Sequence, residues 1–176
     1  DLIKAEFGDR TYSILDLGCG TGLLGMCLGR IQGFLVGADL SEKMMEQAAR
    51  HNVYDKFHHV DVLDAVQATP DNHYEILTAL DVVPYLGDLQ AFLPGAYRIA
   101  KPGGSVIFSF DEAPEEGPDL VFNQTLRFTH KPSAVEAACR AVGFESVQLD
   151  RRPMYVENGQ PVSGCLVVAR KAAALH

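Results

Sequence analysis

Short apolar runs alternate along the chain with longer stretches in which apolar residues recur at helical spacing. Runs rich in Val, Ile, Leu and Phe are typical of buried strands, and longer amphipathic stretches are typical of helices. The predicted strands cover residues 13–17, 34–38, 57–60, 74–80 and 105–110, and the predicted helices cover 23–31, 42–51 and 88–100. This alternation predicts an α/β fold, a Rossmann-like, doubly wound sheet with helices on its faces.

Capping residues mark the ends of three predicted helices. Gly33 is expected to close the first helix, and Ser41 is expected to cap the start of the second. A further helix is predicted over residues 132–142, because Pro132 suits a first helical turn and Gly143 suits the position after a helix end.

The last third of the chain departs from simple strand–helix units. Residues 112–119 hold two prolines, one glycine and four acids, which predicts a loop at an active-site rim. Two strand-like runs, 144–150 and 162–169, are joined through Asn158-Gly159, a dipeptide that favours hairpins. Five strand–helix units and this antiparallel pair predict a mostly parallel, seven-stranded sheet with an antiparallel last strand.

Three spaced glycines follow the first predicted strand. Gly18, Gly20 and Gly22 let the backbone turn tightly and approach a ligand at the start of the next helix, while Asp16 lies inside the strand end. A nucleotide-type ligand is the natural occupant of such a turn.

Acidic residues follow the next three strands. Asp39 comes after the second strand, where a carboxylate can accept hydrogen bonds from the hydroxyls of a ribose. Asp61, with Val62 beside it, repeats this arrangement after the third strand, and Asp81 follows the fourth. Because the carboxyl ends of parallel strands meet at one edge of a sheet, we expect these side chains to gather there.

The glycine turn alone leaves two ligand families open. Residues 20–25 match the dinucleotide fingerprint Gly-x-Gly-x-x-Gly. The strand ends at Leu17, however, so the turn begins at Gly18, and a hydride-transferring enzyme would need a substrate domain for which little chain remains. An NAD-dependent Rossmann oxidoreductase is therefore the less favoured alternative.

The ordered motifs resemble those of class I S-adenosylmethionine-dependent methyltransferases. The segments that carry this resemblance are 15–22, 38–41, 61–62 and 98–104. More narrowly, residues 79–89 and 127–130 are similar to bacterial methyltransferase domains fused behind tetratricopeptide repeats. The resemblance implies one methyltransferase domain over residues 1–171 with a lid or repeat region upstream, and residues 172–176 are interpreted as a tag remnant.

The resemblance also implies a set of cofactor-binding residues. That set is Asp16, Gly18, Gly20, Gly22, Asp39, Leu40, Met44, Asp61, Val62 and Asp81. In it the glycines and the acid inside the first strand hold the methionine part of S-adenosylmethionine, and Asp39 binds the ribose hydroxyls. Leu40 and Met44 pack against the adenine ring, which Asp61 and Val62 also contact.

Methyl transfer from a sulfonium needs alignment more than a nucleophilic side chain, because the methyl donor arrives already activated. The candidate catalytic residues on the acceptor side are Asp81, Tyr85 and His130. The alternatives are a solvated phenol for Tyr85 and a plain polar residue before a helix for His130. No metal site is predicted.

Composition and charge limit the binding partners and the cell compartment that we expect. Fifteen Lys and Arg against 23 Asp and Glu give a net charge of −8, which disfavours nucleic acid. No apolar run approaches the ~18 residues that span a bilayer, and four cysteines without a Cys-x-x-Cys motif are expected as reduced thiols in a cytoplasmic protein. The expected acceptor is a small molecule or a protein side chain. A non-catalytic, cofactor-binding regulatory module is the alternative function, and an aminopropyl transferase is less favoured.

Overall fold

One sheet with helices on both faces forms the computed structural model, which describes residues 2–8, 11–157 and 159–174. Its strands are β1 Tyr12–Leu17, β2 Gly33–Asp39, β3 Lys56–His59, β4 Tyr74–Ala79, β5 Ala100–Glu112, β6 Leu120–Phe122, β7 Phe128–His130, β8 Ser146–Glu157 and β9 Gln160–Arg170. Its helices are α1 Leu2–Phe7, α2 Leu23–Leu28, α3 Glu42–Ala49, α4 Val62–Ala68, α5 Val83–Leu86, α6 Leu93–Ile99 and α7 Pro132–Val142. A single 3₁₀ turn, Leu89–Ala91, lies between α5 and α6.

The strand order brings the carboxyl ends of the first five strands to one edge. The order β3-β2-β1-β4-β5 is parallel throughout. Strands β2 and β3 lie on one side of β1 and strands β4 and β5 on the other, so the strand order reverses between β1 and β4. Strand β9 pairs antiparallel with β5, and β8 pairs antiparallel with β9. The α/β, Rossmann-like prediction with an antiparallel last strand is therefore confirmed, and ligands of such sheets bind where the strand order reverses.

The predicted count of seven strands is too low, because the described residues form nine. The two additional strands are the hairpin β6–β7, which pairs with the end of β5 through Asp111↔Thr129 and Glu112↔His130. Strands of three residues show no periodicity that sequence could reveal. They become possible because β5 continues two residues beyond its predicted end at Phe110 and offers a free edge.

Helix ends follow local capping chemistry. Ser41 caps α3 as predicted, with its side chain accepting from the N–H of Met44, and Gly143 follows α7 in the left-handed conformation. The prediction that Gly33 closes α2 is wrong, since α2 ends at Leu28 before Gly29 and Gly33 begins β2.

The predicted helix over 88–100 is broken. It divides into the 3₁₀ turn and α6. Pro94, at the start of α6, lacks the N–H that would continue a helix from the preceding turn.

Apolar side chains of neighbouring strand residues form a separate layer on each face of the sheet. Leu15, Leu77 and Phe108 pack with α4, α6 and α7 on one face. Ile14 and Ile76 pack with α1 and α2 on the other face. Adjacent residues point to opposite faces of a strand, so a sheet covered twice requires the nearly continuous apolar runs seen in the sequence.

The last two strands form a hairpin in which Glu157 pairs with Gln160. Gly159, in the turn, has a φ of +78°. Asn158, the other residue of the predicted turn dipeptide, lies outside the described residues. Among the helices described, none is long and apolar enough to cross a membrane.

Candidate active site

The glycine turn after β1 lies at the carboxyl edge of the sheet. Gly18, Gly20 and Gly22 have φ values of +65°, +52° and +81°, a region that L side chains avoid and glycine tolerates. A Cβ on Gly18 would lie 2.5 Å from Cγ2 of Val82, whereas a Cβ on Gly20 would meet only Sδ of Met44 at 3.9 Å. Packing therefore requires the first glycine, and the middle glycine faces open space that a ligand can enter.

Asp39, the last residue of β2, supports the turn. Its Oδ2 accepts the N–H of Gly20 at 2.8 Å, and its Oδ1 accepts the N–H of Ser41 at 2.8 Å. Each carboxylate oxygen keeps a further lone pair for a hydroxyl of a ligand. Leu40 and Met44 are exposed, so the structure brings a carboxylate and apolar surface together around the open side of Gly20.

Asp61 precedes α4 and caps it. Its Oδ1 accepts the N–H of Leu63 at 2.8 Å, a contact that satisfies one of the free donors at a helix start. Val62 is buried in the core below, and His59 lies beside Leu40 with its Nε2 at 2.8 Å from the carbonyl oxygen. The second carboxylate oxygen of Asp61 can still accept from an amine.

Asp16 lies beneath the turn, with 3% of its surface exposed. Its Oδ2 accepts the hydroxyl of Tyr54 at 2.7 Å and its Oδ1 accepts that of Thr78 at 2.7 Å. Burial raises the pKa of Asp16 to about 6, with the charge of Asp39 adding to this and the two hydrogen bonds opposing it. Tyr54 also accepts the N–H of Gly25 at 3.3 Å, so the buried carboxylate is linked through Tyr54 to α2.

Asp81 follows β4 in an unusual backbone conformation. Its φ is +57°, which few residues other than glycine adopt, and its N–H donates to Oγ of Ser109 at 2.8 Å. The side chain is 67% exposed, and its Oδ1 accepts from Nη2 of Arg127 at 2.5 Å. One oxygen of the Asp81 carboxylate is therefore bonded to Arg127, and the side chain is open to solvent at the edge of the sheet.

Arg127, which lies in the segment of the finer resemblance but was not predicted as a site residue, connects the residues on this side. It lies just before β7 with a side chain only 12% exposed. Its Nε and Nη2 donate to the two carboxylate oxygens of Asp111 at 2.7 and 3.1 Å, and its Nη1 donates to Oη of Tyr85 at 2.7 Å. The guanidinium carbon lies 4.8 Å from the ring centre of Tyr85 and 5.0 Å from that of Tyr155.

Neighbouring carboxylates favour the charged form of Arg127. Burial alone would lower the pKa of Arg127, but the carboxylates of Asp111 and Asp81 raise it above its usual range. Tyr155 also donates its hydroxyl to Oδ2 of Asp111 at 3.1 Å. We call Asp81, Tyr85, Asp111, Arg127 and Tyr155 the Arg127 cluster.

Tyr85 and His130, both predicted on the acceptor side, occupy different environments. Tyr85 is 60% exposed and belongs to the Arg127 cluster. His130 is 4% exposed on β7, and burial lowers its pKa, so the imidazole is neutral and its Nε2–H donates to the carbonyl of Gly87 at 2.7 Å. Its buried Nδ1 has no hydrogen-bond partner among the described residues. The structure therefore places His130 below the surface, where it fastens the hairpin to the end of α5.

Several residues of the site were not predicted as site residues from the sequence. They are Tyr54, Thr78, Asp111, Arg127 and Tyr155. Asp111 could have been found, because it follows a buried strand as Asp39 and Asp81 do. Arg127 and Tyr155 reach the site only through the β6–β7 and β8–β9 hairpins.

A cavity of about 740 Å³ lies elsewhere on the molecule. It opens beside β2, β3 and α4 and extends to the amino ends of β1 and β4, with His58, His73 and Lys101 among its lining residues. None of the candidate cofactor or acceptor residues lines it, so it is separate from the site at the carboxyl edge.

Comparison with known proteins identifies the family to which the chain belongs. Residues 15–108, more than half of the chain, match a protein family described as a methyltransferase domain. The ubiquinone biosynthesis O-methyltransferase of Azoarcus sp. (strain BH72) is 29% identical over 166 residues, which cover 85% of this chain and 71% of that protein. The matched family segment contains the glycine turn, Asp39, Asp61 and Asp81.

Solved structures share the fold. The magnesium protoporphyrin IX methyltransferase of Synechocystis PCC 6803, solved with S-adenosylmethionine bound, has a TM-score of 0.71 and 20% identity, covering 97% of this chain and 75% of that chain. The cyclase SpnF has a TM-score of 0.79 and 17% identity, covering 99% and 80%. A fold that also hosts a cyclase does not by itself define the reaction.

The match to the methyltransferase family indicates the reaction, which the shared fold alone does not. It covers the glycine turn and the three strand-end carboxylates, the features on which the methyltransferase interpretation was based. The NAD-dependent alternative gains no support from this match. The chain belongs to the S-adenosylmethionine-dependent methyltransferases.

Proposed function

We propose that this enzyme transfers the methyl group of S-adenosylmethionine to a hydroxyl oxygen of a small molecule held beside Asp81 and Tyr85. The observation that carries the proposal is the pairing of an exposed carboxylate with an exposed phenol, both bound to Arg127. It is supported by the curated relatives at 29% and 27% identity, which are named O-methyltransferases. A protein side chain stays the alternative acceptor.

The residues around Gly20 fit the cofactor. Space in front of Gly20 is open, and the oxygens of Asp39 keep lone pairs for two ribose hydroxyls. Leu40 and Met44 offer exposed apolar surface for an adenine ring, and Asp61 offers an acceptor for its amine. Asp16 would act on the amino-acid end through Tyr54 and α2, because the carboxylate itself is buried, with 3% of its surface exposed.

Asp81 is the proposed proton acceptor. When bound, S-adenosylmethionine supplies a methyl group on a positively charged sulfur, so transfer to a hydroxyl yields S-adenosylhomocysteine, the methyl ether and one proton. Oδ1 of Asp81 is bonded to Arg127, and Oδ2 is left to receive that proton. General-base catalysis of this kind contributes about 10²- to 10⁴-fold to a rate.

The test is a transfer assay with methyl-labelled S-adenosylmethionine and a panel of small hydroxyl, amine and carboxylate compounds. We expect label in the hydroxyl compounds, and we expect Asp81→Asn to lower kcat at least about 100-fold. Asp150→Asn, at an exposed carboxylate paired with Arg152, is the matched control and should keep full activity. Transfer to amines alone, or an Asp81→Asn enzyme as active as the control, would contradict the proposal.

Fusion to a tetratricopeptide-repeat region upstream of Asp1 stays a prediction. The domain limits at residue 171, and the interpretation of residues 172–176 as a tag remnant, stay predictions as well.

A further inference from the structure

We propose that the cavity beside α4 is a second ligand site, which binds a flat aromatic molecule carrying one negative charge. The cavity has a volume of about 740 Å³ and lies beside β2 and β3, at the amino ends of β1 and β4. The glycine turn, Asp39 and Asp81 lie at the opposite edge of the sheet, where these strands end. The proposal concerns binding alone and does not depend on the methyl acceptor.

A short helix leaves this part of the sheet uncovered. Helix α4 has seven residues, a length of roughly 10 Å, whereas the seven residues of β2 extend over roughly 23 Å. The chain enters α4 at the carboxyl edge and leaves it after Ala68, and Thr69, Pro70 and His73 then form one wall of the cavity. The cavity is therefore the space that α4 is too short to fill.

The floor of the cavity is apolar and includes one exposed aromatic ring. Leu15 of β1 pairs in register with Val36 of β2, and Phe34 lies on the same face because alternate residues of a strand point to the same side. Leu15 and Val36 are buried, whereas Phe34 is 64% exposed. An aromatic side chain that lines a cavity and stays open to solvent offers a face on which a flat ring can stack.

The charged groups of the cavity leave one cation without a carboxylate. Glu75 lines the cavity and accepts from Nζ of Lys101 at 2.5 Å and from the N–H of Ser13 at 2.7 Å. Lys56 of β3 also lines it, and within the described ranges of the chain no acid forms an ion pair with this lysine. The whole chain has 23 acids against 15 Lys and Arg, so an unpaired lysine in a cavity is a local exception that favours an anion.

His58 lies beside Lys56 and supplies a second donor for an anion. The two residues are two positions apart on β3 and therefore point to the same face of the sheet. Burial lowers the pKa of His58 and the charge of Lys56 lowers it further, so at neutral pH the imidazole is uncharged and can donate one N–H. Lys56 pairs in register with Val36, two residues from Phe34, so the donors and the exposed ring belong to one surface.

One kind of occupant satisfies these features together. A flat ring against Phe34 would bury apolar surface, and a negative group on that ring would accept from Lys56 and His58. A volume of about 740 Å³ falls within the range of ~300–1,000 Å³ that is common for small-molecule sites. A ligand with several negative charges is disfavoured, because one lysine alone is left to balance them.

The test is a fluorescence titration with two probes of the same shape. Anilinonaphthalene sulfonate carries aromatic rings and one negative charge, and phenylnaphthylamine is the same molecule without the sulfonate. Saturating S-adenosylhomocysteine is present to occupy the cofactor side. We expect Lys56→Met to weaken binding of the sulfonate about tenfold, the worth of a hydrogen bond to a charged group, and to leave binding of the uncharged probe unchanged. Phe34→Ala should weaken both probes about fivefold, because the stacking ring is lost.

The controls are matched in residue type and exposure. Lys43→Met changes an exposed lysine of α3, and Phe122→Ala changes an exposed phenylalanine of β6. Neither residue lines the cavity, so both variants should bind the probes as the wild type does. Lys56 and Phe34 are exposed as well, so their substitution should leave the protein folded, which chemical denaturation checks.

Three outcomes would overturn the proposal. The first is a wild type that does not bind the sulfonate saturably. The second is a Lys56→Met protein that binds the sulfonate as Lys43→Met does, or that loses the uncharged probe equally. The third is a wild-type dimer, measured by sedimentation, that Phe34→Ala dissociates, since the cavity would then be a contact between two copies of the chain.

Discussion

The two halves of the active site are built in different ways. The cofactor side consists of one continuous turn and the carboxylate of the neighbouring strand, joined by the contact between Asp39 and Gly20. The acceptor side is assembled by Arg127 from the ends of β4 and β5, from α5, and from the β6–β7 and β8–β9 hairpins. Backbone geometry defines the first half, and long-range side-chain contacts define the second.

This difference has a functional meaning. A cofactor shared by a whole family can be bound by a local motif that changes little, whereas an acceptor is selected by side chains brought in from separate segments. We therefore expect substitutions on the two sides to separate cofactor affinity from acceptor selection.

Arg127→Met should lower the free energy of unfolding by about 3–5 kcal/mol, because it leaves the buried carboxylate of Asp111 without its charged partner. Chemical denaturation measures this loss. Arg152→Met, at an exposed ion pair, should cost less than about 1 kcal/mol. The folded Arg127→Met protein should bind S-adenosylhomocysteine as the wild type does, and a large loss of that affinity would show that the two halves are not independent.

Gly18→Ala should lower the free energy of unfolding by about 3 kcal/mol. The substitution adds left-handed strain of about 1–2 kcal/mol to a clash with Val82, whose Cγ2 would lie 2.5 Å from the new Cβ. Val82→Ala should recover part of the loss.

Gly20→Ala is the matched comparison, since it carries similar strain but meets open space. It should cost only about 1–2 kcal/mol of stability. It should, however, weaken S-adenosylhomocysteine binding by about tenfold, because the methyl group enters the ligand's space. Equal stability losses for Gly18→Ala and Gly20→Ala would contradict the assigned roles.

Asp16 should make the protein less stable as the pH rises from about 4 to about 6. Its folded pKa is raised from 3.8 to about 6 by burial, so the protonated carboxyl is favoured in the folded state. The stabilisation is fully present below the unfolded pKa and is lost as the pH rises through the folded pKa, a change of roughly 3 kcal/mol.

The measurement for Asp16 is the difference in unfolding free energy between Asp16→Asn and the wild type across this pH range. The difference should move in favour of the variant up to about pH 6 and stay constant above it. A difference independent of pH would show that the Asp16 carboxyl titrates alike in the folded and unfolded protein.

Leu126→Gly should raise the free energy of unfolding by about 0.5 kcal/mol. Leu126 lies at the tip of the β6–β7 hairpin with a φ of +61°, and relief of left-handed strain slightly exceeds the greater chain entropy of glycine in the unfolded state. Denaturant melts detect a change of this size, and Leu120→Ala in the same hairpin should not stabilise. Destabilisation by Leu126→Gly would mean that the tip makes contacts worth more than its strain.

Local chemistry explains what could be predicted from the sequence. The glycine turn, the cap at Ser41 and the helix end at Gly143 were found because each depends on a few adjacent residues. The buried strands were found because a sheet covered on both faces requires apolar runs. The prediction that these strands are parallel also placed Asp39 and Asp81 together at the carboxyl edge of the sheet.

Long-range packing explains what could not be predicted. The β6–β7 hairpin exists because β5 extends to Glu112 and offers an edge, which no pattern within residues 120–130 shows. Arg127 becomes a site residue only through that hairpin. His130 has the residue type of a catalytic group, but the same hairpin buries it against Gly87.

The most direct test of the account is the affinity of the Asp39→Ala protein for S-adenosylhomocysteine, measured by calorimetry. We predict a loss of about 100-fold, because hydrogen bonds from the ribose hydroxyls to a carboxylate are removed. Asp64→Ala, at an exposed acid in the first turn of α4, should bind as the wild type does. An Asp39→Ala protein that binds as tightly as Asp64→Ala would contradict the placement of the cofactor at the carboxyl edge.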